Sequence, residues 1–182
     1  MLRQYDAYLF DLDGTLVDTA PDLGQALNAS LRNAGFPGVT TDQARQWIGF
    51  GARYSLSQAI EHHQLVLTTS ATDELFEEFL NFYAGHVADA STPYDSVIDT
   101  LDVLNDAGAK LAVVTNKPAR FTVPLLSALS LDGYFESVIS GDTATQPKPA
   151  ADPILLCLDE LNVGIDQALM VGDSRADVDA AK

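Results

Sequence analysis

The chain has a single cysteine, Cys157, among 182 residues, so it cannot form an internal disulfide. A lone cysteine is typical of a reducing compartment, and we expect the cytoplasm. No apolar run approaches the ~20 residues that a membrane-spanning helix needs. The first residues also lack the charged and apolar regions of a signal peptide. These absences argue against secretion and against insertion into a membrane.

Positive charge is scarce as well, because 10 Lys and Arg accompany 26 Asp and Glu and the formal net charge is −16. Such a surface repels nucleic acid and anionic lipid, so we expect neither as a partner. Hydrophobic residues make up 47% of the chain, which is enough for a buried core. The length fits one domain, or a core domain with a small insert.

Four short apolar runs each lead into small, polar or acidic residues, as is typical of strands buried on both faces of a parallel sheet. Segments with helical periodicity, such as 96–107 and 153–161, separate them. This alternation predicts a doubly wound, Rossmann-like α/β fold, in which ligands bind beyond the carboxyl ends of the strands. The runs are 8–10 before Asp11, 111–114 before Thr115, 138–140 before Gly141, and 169–171 before Gly172.

Residues 17–88 interrupt the alternation, because apolar residues recur there only at helical spacing. We therefore expect an all-helical insert at 17–88, after the first strand, and a core made of 1–16 and 89–182. The expected helices of the insert are 21–34, one that follows a capping box of Thr40 and Gln43, 52–63 and 73–87.

Asp11 and Asp13 directly follow the first predicted strand, and Gly14 allows the chain to bend there. Two carboxylates at this spacing can enter one small site, where one attacks phosphorus and the other transfers a proton. By itself the segment could equally be an ordinary turn. A calcium-binding loop is excluded, because Leu16 stands where that loop requires glycine.

Polar residues at other predicted strand ends extend the pattern. Thr115 and Asn116 can donate hydrogen bonds to phosphate oxygens, although a turn is the alternative. Lys148 lies between two prolines, and its ammonium could neutralise a nucleophile and a phosphate, unless it is simply solvated. Asp173 could share a Mg²⁺ ion with Asp11 from an adjacent strand, unless Asp173 only caps a helix.

In this order the motifs resemble those of the haloacid dehalogenase superfamily, and within it the phosphoglycolate phosphatase-like group. The resemblance covers essentially the whole chain. The matching segments are 10–18 (FDLDGTLVD), 115–118 (TNKP), 148–149 (KP) and 172–177 (GDSRAD).

The resemblance implies a Mg²⁺-dependent phosphatase that cleaves a small-molecule phosphate ester through an aspartyl-phosphate intermediate. Its implied metal ligands are Asp11, the Asp13 main-chain carbonyl and Asp173, supported from behind by Asp177. Asp11 is the implied nucleophile and Asp13 the general acid and base. Thr115 and Asn116 are the implied phosphate binders, Lys148 is the implied charge-balancing lysine, and the helical insert is the implied mobile cap.

Arg53 follows Gly49-Phe50-Gly51 in the expected insert and could bind a substrate carboxylate, although an ordinary turn between helices is the alternative. Phosphoglycolate is the expected substrate, with a sugar phosphate such as N-acetylmuramic acid 6-phosphate as the rival. Asp13 argues against a dehalogenase, and nothing in 17–88 indicates a phosphomutase. A non-enzymatic binding module should have lost at least one of the core motif residues, all of which are present. Family members usually continue beyond the fourth motif, so we expect an edge of the sheet to be missing from this chain.

Overall fold

A computed structural model describes residues 4–47 and 51–182. The chain forms two compact units. One consists of the residues up to Asp18 together with Thr92–Lys182, and the other is Thr19–Ser91. The helical insert was expected at 17–88, and the boundaries in the structure lie two and three residues later. Within the described part of the chain, no helix is both long enough and apolar enough to cross a bilayer.

The first unit contains a four-stranded parallel sheet, which confirms the predicted α/β fold. Its strands are β1 (Ala7–Phe10), β4 (Lys110–Val114), β5 (Ser137–Ile139) and β6 (Ala168–Val171), and a separate antiparallel pair consists of β2 (Val17–Asp18) and β3 (Thr92–Pro93). The order in the large sheet is β5-β4-β1-β6. All four predicted apolar runs are therefore strands of one sheet.

The register aligns the carboxyl ends of these strands. Phe10, the last residue of β1, lies opposite Val113 and Val171, and Val114 lies opposite Ile139. Because the strands are parallel, the residues that follow them leave the sheet at the same edge. This shared edge is the reason that distant motifs of the sequence meet.

The interior strands are buried as predicted, and β6 is less buried than predicted. Leu9 of β1 and Ala112 of β4 are at most 1% exposed. Leu169 of β6 is 36% exposed. Helices Val97–Asp106 and Asp152–Leu161 both pack against β4, which lies in the interior of the sheet.

Four helices belong to the first unit: α5 (Val97–Asp106), α6 (Ala119–Ala128), α7 (Asp152–Leu161) and α8 (Arg175–Ala180). The predicted helices at 96–107 and 153–161 are confirmed as α5 and α7. The sequence analysis made no prediction for α6, which holds Pro124 in its interior, where a proline is normally unfavourable. Burial of Phe121 and Leu125 holds α6 in place despite this proline.

The second unit contains α1 (Ala20–Asn33), α2 (Thr41–Trp47), α3 (Ala52–His62) and α4 (Thr69–Ala84). The predicted capping box is confirmed, since Thr40 N–H donates to Gln43 Oε1 at 2.8 Å and Gln43 N–H donates to Thr40 Oγ1 at 3.2 Å. The α4 helix begins four residues earlier than predicted, because the Thr68 hydroxyl accepts a hydrogen bond from Ala71 N–H and caps it.

Candidate active site

Asp11 lies immediately after β1 and is 5% exposed. Its main-chain N–H donates to Val171 O at 2.9 Å, which extends the pairing of β1 with β6 by one step. Its carboxylate oxygen Oδ1 accepts a hydrogen bond from Leu12 N–H at 2.7 Å. The carboxylate is thus held at the edge of the sheet by the strand itself.

The turn after Asp11 brings the Asp173 carboxylate against the first motif. Gly14 has φ of +87°, and a Cβ atom there would lie 2.6 Å from Asp173 Oδ2. Thr15 Oγ1 donates to Asp173 Oδ1 at 2.8 Å. The positive φ favours glycine at position 14, and a Cβ there would displace the Asp173 carboxylate.

Lys148 lies between two carboxylates, and its side chain is 1% exposed. Its Nζ lies 3.1 Å from Asp11 Oδ1 and donates to Asp177 Oδ1 at 2.5 Å and to Val114 O at 2.7 Å. Two of the three ammonium protons are donated to Asp177 and Val114, and Asp11 lies within ion-pair distance. The solvated lysine that was the alternative is therefore wrong for Lys148.

Asn116 holds the main chain of Lys148 from both sides. Its Nδ2 donates to Lys148 O at 2.8 Å, and its Oδ1 accepts from Lys148 N–H at 2.9 Å. The contact of Asn116 with phosphate stays a prediction, and this clamp leaves its main-chain N–H and the second Nδ2 proton as donors. The neighbouring Thr115 hydroxyl accepts from Lys117 N–H at 3.2 Å and keeps its own proton to donate.

Asp173 and Asp177 follow β6. Ser174 caps α8, and Asp177 Oδ2 accepts hydrogen bonds from Ser174 N–H at 2.9 Å and Ser174 Oγ at 2.6 Å. Helix capping therefore does occur at this motif, but through Ser174 and Asp177. Asp173 is exposed, and its carboxylate faces the first motif.

The structure brings three of the predicted acidic residues together. One carboxylate oxygen from each of Asp11, Asp173 and Asp177 lies within 4.8 Å of the others, so this cluster could hold a metal ion. Asp177 already accepts from Lys148 and Ser174 through both oxygens, which fits the supporting position expected for it. Oxygen ligands of this kind suit Mg²⁺.

Burial and neighbouring charges shift two of these acids in opposite directions. Burial raises the pKa of Asp11 to about 6, with smaller contributions from the Asp177 and Asp13 carboxylates, while Lys148 opposes the change. Burial alone would also raise the pKa of Asp177, but the hydrogen bonds from Lys148 and Ser174 hold it below its ordinary value. Asp11 in the metal-free folded protein therefore stays protonated up to about pH 6, well above the pH at which it ionises in the unfolded chain.

This shift predicts a pH dependence of stability in metal-free protein. The ordinary pKa of 3.8 is raised to about 6 in the folded state, so between these values the folded protein binds more protons than the unfolded chain. Relative to Asp11→Asn, the wild-type free energy of unfolding should fall by roughly 2 kcal/mol as pH rises from about 4 to about 7.

Urea titrations of both proteins in a chelator would measure this difference at each pH. The other titrating groups are common to both proteins and largely cancel. A difference that does not change with pH would contradict the assignment of the raised pKa to Asp11.

Sequence reasoning assigned no role to Lys117, although it lies within the second segment quoted for the resemblance. Its Nζ lies 2.9 Å from Asp13 Oδ1 and 3.2 Å from Oδ2. The only signal in the sequence was its position two residues after Thr115, next to a predicted strand end. This position in the sequence does not indicate which carboxylate the Lys117 ammonium contacts.

Arg53 belongs to the second unit, and it contacts two residues of the same unit. Its Nη1 lies 2.9 Å from Asp73 Oδ1, and its guanidinium lies 4.2 Å from the centre of the Phe76 ring. Its contact with substrate stays a prediction. Gly49 and Phe50 of the predicted turn lie outside the described residues.

A family model described as haloacid dehalogenase-like hydrolase matches residues 8–182. The chain belongs to the haloacid dehalogenase-like hydrolases. Phosphoglycolate phosphatase of Colwellia psychrerythraea is 38% identical over 184 residues, which span 100% of this chain and 81% of that protein. Phosphoglycolate phosphatase of Agrobacterium fabrum is 41% identical over 174 residues, or 96% of this chain and 75% of that protein.

A solved structure agrees with these relatives. The crystal structure of a predicted phosphoglycolate phosphatase from Haemophilus somnus has a TM-score of 0.91 and 31% sequence identity, and the match covers 100% of this chain and 82% of that one. The chain is accordingly a phosphoric monoester hydrolase of the haloacid dehalogenase-like family, similar to the phosphoglycolate phosphatases. Phosphatases of this family are generally metal-dependent, and the acidic cluster of this chain could hold a metal ion.

Proposed function

We propose that this hydrolase is a Mg²⁺-dependent phosphatase of phosphoglycolate that works through an aspartyl-phosphate intermediate. The observation that carries the proposal is the cluster of Asp11, Asp173 and Asp177 carboxylates within 4.8 Å of one another, with the Lys148 ammonium bound to two of them. The choice of phosphoglycolate is supported by the relatives that carry this name and match nearly the whole chain.

Asp11 acts as the nucleophile. Its Oδ1 is held by Leu12 N–H and Lys148, which leaves Oδ2 to attack phosphorus. The phosphorus–oxygen bond to glycolate breaks as the bond to Asp11 forms. Lys148 stays beside the carboxylate throughout and keeps a positive charge next to the reacting oxygens.

Asp13 transfers the proton in both halves of the reaction. It first donates a proton to the departing glycolate oxygen, and then accepts one from the water that attacks the aspartyl phosphate. The products are glycolate and inorganic phosphate, and the Asp11 carboxylate is restored. The Thr115 hydroxyl and the Asn116 main-chain N–H donate to phosphoryl oxygens.

The ligands of the metal would be Asp11, the Asp13 main-chain carbonyl and Asp173, with Asp177 holding its neighbours in place. A dication bound there supplies positive charge that offsets the four nearby carboxylates and the phosphate. Mg²⁺ usually takes one or two carboxylates, with substrate phosphate and water as further ligands. The exposed position of Asp173 suits such a shared and hydrated ion.

A substrate panel tests this proposal. Purified protein is given phosphoglycolate, N-acetylmuramic acid 6-phosphate, a hexose 1-phosphate and p-nitrophenyl phosphate, with Mg²⁺ or with a chelator. We expect the highest kcat/KM for phosphoglycolate, no turnover in chelator, and full recovery with Mg²⁺. Asp173→Asn should raise the Mg²⁺ concentration needed for half-maximal rate by at least about tenfold, while Asp142→Asn, outside the cluster, should not.

Two results would count against the proposal. Turnover that persists in chelator would remove the role of the dication. Conversion of the hexose phosphate to an isomer without release of phosphate would indicate a phosphomutase.

A further inference from the structure

The ammonium of Lys117 contacts both oxygens of the Asp13 carboxylate. The Nζ–Oδ1 and Nζ–Oδ2 distances are 2.9 and 3.2 Å. The two side chains are 4% and 14% exposed, and 104 residues separate them in the chain. The pair is distinct from the contacts of Lys148, whose ammonium bonds to Asp11 and Asp177. The site therefore has two buried ammonium groups, which form ion pairs with different carboxylates.

The main chain of Lys117 is anchored by three hydrogen bonds. Its N–H donates to Thr115 Oγ1 at 3.2 Å, and its carbonyl accepts from Gly141 N–H at 2.9 Å and Thr122 Oγ1 at 3.1 Å. A Cβ on Gly141 would collide with the Asn116 carbonyl, so the strand end at 141 packs directly on this segment. The main chain that carries this ammonium is therefore fixed by hydrogen bonds and by close packing.

Stability is a weak reason for such a pair. Removing two charges from water offsets most of the attraction between them, and an apolar pair of similar volume is often equally stable. A buried lysine that grips a carboxylate by both oxygens does, however, restrict the rotation of that carboxylate. At this place the restricted group is the one expected to deliver a proton.

We propose that Lys117 is a positioning residue that orients the Asp13 carboxyl group towards the leaving oxygen of the substrate. This inference rests on the proposed function, in which Asp13 donates the proton. The proton moves from Asp13 to the leaving oxygen while the phosphorus–oxygen bond breaks and Asp11 Oδ2 bonds to phosphorus. Lys117 itself neither gains nor loses a proton in this step.

The leaving group provides a sharp test of this role. An alkoxide such as that of glycolate leaves poorly without a proton, whereas p-nitrophenolate leaves readily without one. The parameter kcat/KM covers the steps up to release of the alcohol, so it reports proton donation and excludes the later hydrolysis of the aspartyl phosphate. A misplaced acid should therefore reduce kcat/KM for phosphoglycolate and spare p-nitrophenyl phosphate.

The experiment compares Lys117→Met, Asp13→Asn and the double variant on both esters with Mg²⁺. We expect Lys117→Met to lower kcat/KM roughly 10- to 100-fold for phosphoglycolate and less than about threefold for p-nitrophenyl phosphate. Added to Asp13→Asn, the lysine change should have no further effect, because Lys117 acts only through Asp13. Lys110→Met is the matched control, since the contact of Lys110 Nζ among the described residues is with the Leu161 carbonyl, at the end of α7. This change should leave the ratio of the two esters unchanged.

Equal losses on both esters, or a further loss in the Asp13→Asn background, would overturn the inference and leave the proposed function intact. If Lys117→Met does not fold, the double variant can still be compared with Asp13→Asn. The double variant has neither the ammonium nor the carboxylate of this pair, so no buried charge is left without its partner. A wild-type protein that cleaves neither ester would overturn the proposed function and this inference together.

Discussion

Asp11→Asn should abolish turnover of every phosphate ester, with kcat/KM lower by at least about 10³-fold. An amide oxygen is a poor nucleophile, and it cannot carry the charge that attracts a cation at this place. Because Asp11 is 5% exposed and burial raises its pKa, the neutral amide should fold at least as well as the carboxylate. Loss of activity would then report chemistry and not unfolding.

The measurement needs a matched acid outside the site. Asp142 also follows a strand of the sheet, and its Oδ1 accepts a hydrogen bond from Ala119 N–H at 2.9 Å, which an asparagine oxygen can still accept. Asp142→Asn should therefore keep wild-type rates. Turnover by Asp11→Asn near the wild-type rate would refute the assignment of Asp11 as the nucleophile, whatever the substrate.

Lys148→Met should lower both stability and activity. The methionine leaves Asp11 and Asp177 buried without the ammonium that bonds to both. Removing one partner of a buried ion pair costs about 3–5 kcal/mol. We also expect kcat/KM to fall by roughly 10²- to 10³-fold, because a fixed positive charge next to the reacting oxygens is lost.

Denaturant titration with and without Mg²⁺ checks this second expectation. Mg²⁺ should restore part of the lost stability, since a dication can offset the orphaned carboxylates. Lys148→Met combined with Asp177→Asn should be more stable than Lys148→Met alone, because one of the two unpaired charges is then removed. Lys110→Met should cost only about 1 kcal/mol, the contribution of a single hydrogen bond. A Lys148→Met protein as stable as the wild type would show that the ammonium does not hold these acids.

The sheet and part of the candidate site could be predicted from the amino-acid sequence. Apolar runs with no alternation predict buried parallel strands, and Asp11, Thr115 and Gly172 directly follow three of them. Because parallel strands end at one edge, the meeting of these motifs follows from the fold class alone. The adjacency of Asp11 and Asp173, which was expected, follows from the pairing of β1 with β6.

The sequence did not predict the hydrogen-bond partners of the polar side chains. Residue type indicates that Asn116 can donate and accept hydrogen bonds, but not that both atoms would hold the main chain of Lys148. Pro124 is unfavourable inside α6, a helix that the buried Phe121 and Leu125 nevertheless support. Local pattern thus failed where a contact with a distant segment outweighed it.

By itself, the sequence determined the four strands of the large sheet, most of the helices and the set of acidic and basic residues at one edge of that sheet. These follow from periodicity and from the common direction of the strands, which are local properties. Only the tertiary structure decided that Lys148 forms ion pairs with Asp11 and Asp177, while Lys117 forms one with Asp13. Two lysines of identical chemistry differ only in where the packed loops place their ammonium groups. That placement depends on contacts between residues up to 137 positions apart in the chain.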